Sequence, residues 1–424
     1  MTNKSLNKLE EDVMGFLNEV QLNFPEAISM ASGRPEESFF DLQHAQEYMD
    51  MFVNFRSKET NVSTDAFLRS LGQYNRTKGI INDIVVKYLK NDYQIDCSPA
   101  DIIVNVGSQE SMILSLLALM NRDEDVFCVE DPSYVGISHF ALINGYETAP
   151  IAVDAEGINL EALEKTIEAT ITKGKRVKAV YVIPDFQNPT GIRTPIEKRK
   201  KLLQMAATHN FMIIEDNAYG DFVFEDVAYP TLKSLDTEGN VIYLHSFSKS
   251  LHPSLRMGVM VTDKVFKDGT KLSDIVAKIK GYTTVNSPAI PQAILGGVLL
   301  KNNYSLQKYN EEKCHNVRQK RDSVLASLTK YINASQNETL QTVSWNVPEG
   351  GYFLTLTLPF AITKEDVTAC AKNYHVIFTP MSFFHLSKGG ENQIRIAYSY
   401  VKINQIETAI ENLVRFLATK ITNT

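Results

Sequence analysis

Ser246, Ser248, Lys249 and Arg256 fall in one short stretch, VIYLHSFSKSLHPSLRMG (241–258). The stretch opens on an apolar, strand-like run at 241–244 and then breaks into hydroxyls, a lysine and an arginine. A lysine at the end of a buried strand is poorly solvated. Burial disfavours the ammonium, lowers the pKa and frees the amine to attack carbonyls. Ser246, Ser248 and Arg256 add hydrogen-bond donors and a fixed positive charge, the groups that hold a phosphate. A carbonyl-attacking amine beside a phosphate clamp fits an aldehyde cofactor that carries a phosphate. The same residue types also fill solvated loops, so the rest of the chain has to decide.

The elements that must position these groups show from about residue 100 onward. Short apolar runs, IIVNV (102–106), VFCVE (126–130), AVYVIP (179–184), FMIIED (211–216), VIYLH (241–245) and MGVMVT (257–262), alternate with helical patterns at 109–121, 159–170 and 195–209. This alternation predicts an α/β domain with a mostly parallel central sheet and helices on both faces. Ligands in such sheets lie outside the carboxyl ends of the strands. After the first run comes Gly107-Ser108-Gln109-Glu110, either an anion cradle at a helix N-terminus or an ordinary N-cap. Tyr134 follows the second run and either offers its ring face to a planar ligand or packs. Asn188-Pro189-Thr190-Gly191 makes a rigid turn that projects an amide, or that serves shape alone. Asp216 is either a helix cap or a cleft carboxylate, and the latter is costly unless it meets a positive group.

At 424 residues the chain has room for a large and a smaller domain. The expected division is an N-terminal segment (1–60), a large domain (61–305) and a small C-terminal α+β domain (306–424). The N-terminal segment contains a helical pattern at 9–21, with Val13, Leu17 and Val20 in phase, and a turn at Gly33 and Pro35. A loop with Tyr74 and Gly79 opens a helix within 71–92. The last part starts with a long helical pattern, YNEEKCHNVRQKRDSVLASLTKYI, followed by strand-like runs at 352–358, 376–379 and 394–398 and a closing helix at 404–419. The first 60 residues are expected to complete this domain and the substrate entrance. A net charge of −7 argues against nucleic-acid and anionic-membrane partners. No run of 18 apolar residues and no apolar leader is visible. Cys97, Cys128, Cys314 and Cys370 show no CxxC and no metal-ligand spacing, which predicts reduced thiols in a cytoplasmic protein without a structural metal.

Taken in order, GSQ, DPSY, QNPTG, DNAY and SFSKSLHPSLRMG resemble the fold-type-I pyridoxal-phosphate aminotransferases of class I/II. ASGRP (31–35), Tyr74 with Gly79, PEGGYF (348–353) and IRIAYS (394–399) extend the resemblance over nearly the whole chain, with a texture nearest the aminoadipate and kynurenine aminotransferase branch. The resemblance implies pyridoxal 5′-phosphate as cofactor and Lys249 as the residue that forms the internal aldimine and then shuttles a proton. It implies that Asp216 pairs with the pyridinium nitrogen, that Asn188 and Tyr219 bond the ring's phenolic oxygen and that Tyr134 stacks on the ring. Ser108, Gln109, Ser246, Ser248 and Arg256 would hold the phosphate, with Tyr74 arriving from the other subunit of a homodimer with shared sites. Arg395 would grip the substrate α-carboxylate, with Asn188 and the backbone of Gly33 nearby. The implied reaction is ping-pong transfer of an amino group from an α-amino acid to a 2-oxo acid. A lyase, racemase or cyclase on the same scaffold is a second reading. A non-enzymatic sensor is a third, and it is disfavoured because ASGRP lies too near the start for a helix-turn-helix module. One departure stands out: the sequence has Pro380-Met381-Ser382-Phe383 where the family often has Pro-Gly before Phe, so the local turn near the substrate is open to question.

Overall fold

The structure, a computed structural model, describes residues 13–224, 227 and 229–422. Of the helical pattern at 9–21, residues 9–12 lie outside the described residues; the helix runs Val13–Asn23. A two-residue strand β1 (Ile28–Ser29) follows. The central sheet then uses β2 (Ile102–Asn105), β3 (Asp125–Asp131), β4 (Glu147–Asp154), β5 (Gly157–Ile158), β6 (Arg176–Val182), β7 (Met212–Asn217), β8 (Val241–Ser246) and β9 (Gly258–Val261). Their order across the sheet is β2-β9-β8-β7-β6-β3-β4-β5. Neighbours from β8 through β4 are parallel, β9 runs antiparallel to both β8 and β2, and β5 is antiparallel to β4. Thus β2, β3, β6, β7 and β8 point the same way, and the five sequence stretches singled out above all leave the sheet at one edge.

Side-chain alternation divides the sheet cleanly. Phe127, Tyr181, Ile214 and Leu244 face a core shared with the helices Ser108–Leu119, Val135–Ile143 and Leu272–Thr283. Cys128, Val180, Val182 and Ile213 face the opposite core, built with Leu160–Thr172 and Ile196–His209. A strand buried on both faces needs apolar residues throughout, which is why these runs read as continuous rather than alternating.

A second sheet has the order β10 (Ser344–Trp345), β11 (Phe353–Thr357), β14 (Gln393–Ala397), β13 (Thr379–Pro380), all antiparallel. It packs on the helices Gln307–Asn333 and Ile403–Thr422. β1 pairs in parallel with β12 (Val376–Ile377), so residues near 30 join the core of this second sheet. The helix Ala45–Thr60 instead packs against Ala289–Lys301 beside the large sheet. The two sheets are laced together at the end of β3. Asp131 accepts from the backbone N–H groups of Leu386 (2.7 Å) and Ser387 (3.1 Å), and the N–H of Ser133 donates to the carbonyl of Phe384 (3.0 Å).

Candidate active site

Lys249 lies on the short helix Phe247–Ser250, directly after β8. The hydroxyl of Ser246 caps that helix by accepting from the N–H of Ser248 (3.4 Å), and the buried ring of Phe247 anchors it. Nζ of Lys249 donates to the carbonyl of Gly33 at 2.9 Å. Poor solvation of the ammonium, reinforced by the positive charges of Arg395, Arg34 and Arg256, lowers the lysine pKa to about 8. A substantial fraction of the amine is therefore neutral and nucleophilic near physiological pH.

Asp216, next to last in β7, lies on the same sheet face as Tyr181. Tyr181 stands opposite Ile214 in the ladder, so Asp216 is its diagonal neighbour. The Tyr181 hydroxyl donates to Oδ2 at 2.6 Å. Oδ1 is buried and has no partner among the described residues. Burial raises the carboxyl pKa to about 6, partly offset by the tyrosine hydrogen bond. An orphaned carboxylate oxygen in a buried cleft is stabilised by a cationic N–H donor, which is what the protonated ring nitrogen of pyridoxal phosphate presents.

The groups expected to hold phosphate gather at the start of the helix Ser108–Leu119. Gly107 precedes it with φ 77°, and a Cβ there would lie 2.5 Å from Nη2 of Arg256. Arg256 itself has φ 52° and donates from Nη2 to the carbonyl of Val106 at 3.1 Å. Ser246 pairs with Gly258 across β8 and β9, and a Cβ on Gly258 would lie 2.8 Å from the Ser108 nitrogen. Two glycines thus let an arginine, two serines and a helix N-terminus converge, an arrangement suited to a phosphate. The Tyr134 hydroxyl donates to Oε1 of Gln109 at 3.1 Å, tethering that ring to the same helix.

Arg395 sits in the middle of β14, opposite Thr355 on one side and Thr379 on the other. Nη1 donates to Oδ1 of Asn188 (2.7 Å), and Nη2 donates to the carbonyl of Ala31 (2.6 Å) and weakly to Oγ1 of Thr379 (3.4 Å). Its guanidinium lies 4.4 Å from the Phe353 ring centroid and 4.6 Å from that of Phe384. It forms no ion pair with a carboxylate among the described residues, and its Nε has no acceptor. Burial pushes its pKa down to about 10. A buried cation without a counter-ion is costly, so the site favours an incoming carboxylate. Tyr219 is buried beside it, edge-on to Tyr352 (5.5 Å) and Phe353 (5.4 Å).

Gly33, Gln109, Tyr134, Asn188, Tyr219, Lys249 and Arg395 share one cavity of about 1110 Å³. Ser108, Asp216, Ser246, Ser248 and Arg256 are not among its lining residues; they hold the strand ends and the helix start just described. Tyr74 is 81% exposed and outside the cavity. Met381 is fully buried and opens the 3-10 turn Met381–Phe384 without a positive φ, so this turn has no need of glycine. Reading the sequence missed Tyr181, Thr379, Phe353 and Phe384. Tyr181 hides inside an apolar strand. The other three become neighbours of Arg395 only through strand register and the loop tied to Asp131.

The sequence matches the family model described as aminotransferase class I and II over residues 70–413. It is 36% identical over 408 residues to (S)-3,5-dihydroxyphenylglycine transaminase of Amycolatopsis orientalis, covering 96% of this chain and 92% of that one. The 2-aminoadipate transaminase of Thermus thermophilus is 28% identical over 402 residues, covering 93% of this chain and 90% of the relative. The crystal structure of Pyrococcus horikoshii kynurenine aminotransferase, solved with PMP, superposes with a TM-score of 0.84 at 27% identity, covering 99% of this chain and 97% of that one. Agreement that runs nearly from end to end, in sequence and in fold, shows that the chain belongs to the class I and II aminotransferases, as a fold-type-I enzyme that moves amino groups with pyridoxal 5′-phosphate.

Proposed function

We propose that Lys249 is the covalent anchor and proton carrier of this aminotransferase, and that Arg395 holds the α-carboxylate of its amino-acid and 2-oxo-acid substrates. The observation that carries the reading is the pairing, in one cavity, of a lysine with a lowered pKa and a buried arginine lacking an anionic partner among the described residues. Bound pyridoxal phosphate supplies a reactive aldehyde and an electron-withdrawing ring. Ser108, Gln109, Ser246, Ser248 and Arg256 bind its phosphate, and the free oxygen of Asp216 accepts from its ring nitrogen. Asn188, whose Oδ1 is occupied by Arg395, keeps its NH2 for the ring's phenolic oxygen, with Tyr219 alongside and Tyr134 against the ring. Gly33 lies against the substrate by its backbone.

With the cofactor bound, Lys249 would hold it through the aldehyde carbon, the carbonyl oxygen leaving as water. Once freed by the amino group of the substrate, its Nζ would be placed to take the proton from the substrate Cα and to return it to the cofactor side. Arg395 holds the carboxylate and so directs bond breaking to Cα–H rather than to the carboxyl group. The large cavity, walled by aromatic rings, supports a bulky amino-acid side chain.

The proposal includes the division of the chain near residues 60 and 305, a cytoplasmic location and a homodimer in which Tyr74 completes the partner's phosphate site. No described helix is long and apolar enough to cross a membrane, and the cysteines are free. The test is an amino-donor panel followed by a 2-oxo-acid panel, run on the wild type and on Lys249→Ala. Oxo-acid formation by the wild type alone supports the assignment. Unchanged turnover in Lys249→Ala overturns it.

A further inference from the structure

Val106 joins β2 to the helix Ser108–Leu119, and both of its backbone groups are held. Its carbonyl accepts from Nη2 of Arg256 (3.1 Å), and its N–H donates to Oε2 of Glu110 (2.6 Å). Glu110 thus reaches back from the first turn of the helix and fixes the residue before Gly107. Its other oxygen is occupied as well. Oε1 accepts from Nζ of Lys280 (2.8 Å) and from the hydroxyl of Thr284 (2.6 Å), and Nζ of Lys280 also donates to Oγ1 of Thr284 (3.1 Å). Lys280 comes from the last turn of the helix Leu272–Thr283, and its side chain is fully buried.

A carboxylate at this place works against a phosphate. It draws on the same N–H groups and the same partial positive charge of the helix start, and it repels the phosphate directly. A unit charge this close, at the effective dielectric of a partly buried site, changes the affinity of an anion by about tenfold or more. Lys280 cancels that charge. A buried ammonium is itself costly unless paired. Burial holds the Lys280 pKa below the ordinary lysine value, and Glu110 opposes that shift. Each group therefore needs the other, and neither lines the active-site cavity.

We propose that Lys280 is a positioning residue for the cofactor phosphate, acting through Glu110. The pair fixes Val106 where Arg256 and the helix N–H groups can meet the phosphate, and Lys280 supplies the charge that lets a carboxylate do this without repelling the anion. The net charge of the pair then sets phosphate affinity. Glu110→Gln keeps an acceptor for the Val106 N–H and leaves Lys280 without a counter-ion. Lys280→Met leaves the carboxylate without one. This inference rests on the placing of the phosphate at Ser108 and Arg256 made above.

The test measures binding of inorganic phosphate and of pyridoxal phosphate to the cofactor-free full-length enzyme, with pyridoxal, which lacks the phosphate, as the control. Wild type is compared with Glu110→Gln, Lys280→Met, the double variant and Arg256→Gln. The pair is positive in Glu110→Gln, neutral in the wild type and the double variant, and negative in Lys280→Met. Phosphate affinity should rise about tenfold in the first, match in the next two and fall about tenfold in the last, while pyridoxal binds all four alike. Weaker phosphate binding in both single variants would mark a purely structural brace and overturn the proposal, as would equal affinity in all four. Where Lys280→Met is too unstable to assay, Glu110→Gln against the double variant decides, since these two differ by the same single charge. An Arg256→Gln enzyme with unchanged phosphate affinity would show that the phosphate itself was misplaced, and the inference would fall with it. A loss in Arg256→Gln without the charge order would refute the role of Lys280 alone.

Discussion

The hydroxyl of Tyr181 donates to Oδ2 of Asp216 at 2.6 Å, while the buried Oδ1 of the same carboxylate has no partner among the described residues. One oxygen is held in place, and the other is the one proposed to meet the cofactor's ring nitrogen. Asp216→Asn should lower kcat by at least about 100-fold, because it removes the charge that keeps a ring nitrogen protonated. Tyr181→Phe should act more mildly, costing about tenfold in cofactor affinity as expected for one hydrogen bond to a charged group. It should also move the Asp216 titration above its present value of about 6, since the lost bond favoured the charged form. Cofactor binding isotherms across pH report both effects, and a Tyr181→Phe enzyme with an unchanged isotherm would contradict them.

The lysine supplies a pH prediction with a definite sign. Its reactive form is the neutral amine, so capture of pyridoxal phosphate by the cofactor-free enzyme should accelerate as pH rises through about 8 and level off above it. Burial is the main cause of the lowered value, and Arg395 is the largest charge contribution. Arg395→Gln should therefore move the midpoint to higher pH. Stopped-flow absorbance measures the profile. A midpoint that stays put would show that the two groups do not sense each other.

Arg395→Ala should raise KM for the amino acid about 100-fold and leave the cofactor bound, because Arg395 is assigned to the substrate carboxylate rather than to the phosphate. Equal loss of cofactor and substrate affinity would mean the arginine has been misplaced.

Arg199 yields a stability prediction. It is fully buried and donates to both oxygens of Asp185 (3.0 and 2.7 Å) and to the carbonyls of Thr194, Pro230 and Pro184. These bonds brace the loop that carries Asn188. Arg199→Met should destabilise the protein by about 3 kcal/mol, the lower end for a broken buried pair, since Arg193 still reaches Asp185 at 3.0 Å. Urea unfolding of the cofactor-free enzyme gives the number, and a change below 1 kcal/mol, roughly that of a surface substitution, would refute it.

The strand ends were readable in the sequence because chemistry-bearing residues sit just after apolar runs, and an α/β sheet places all such points on one edge. Lys249, Asp216 and Asn188, the residues proposed for the site, were singled out this way. Tyr181 could not be, since a tyrosine within AVYVI looks like core until the register sets it diagonal to Asp216. β4 was missed because one of its faces is partly exposed and Pro150 interrupts the run, so it lacks the continuous apolar character of the inner strands. The helices Ala45–Thr60 and Ala289–Lys301 escaped notice for opposite reasons. The first mixes buried and polar positions, and the second is apolar nearly all round because it packs against both the first helix and the helix Asn82–Tyr93. The aromatic pair around Arg395 depends on Phe384, which reaches the site only through the loop held by Asp131.

One of the two-residue strands of the enzyme has the widest consequence. β1 contributes only two ladder pairs, Ile28 with Val376 and Ser29 with Ile377. From that fixed point the chain is counted out to Ala31, Gly33 and Arg34, whose carbonyls meet Arg395, Lys249 and Ser399. β1 and the residues after it thus act as a ruler. Adding or removing one residue between Ser29 and Ala31 would put every acceptor out of step at once, although no side chain of the active site had been touched. The length of this piece of backbone is as much a part of the proposed active site as its lysine.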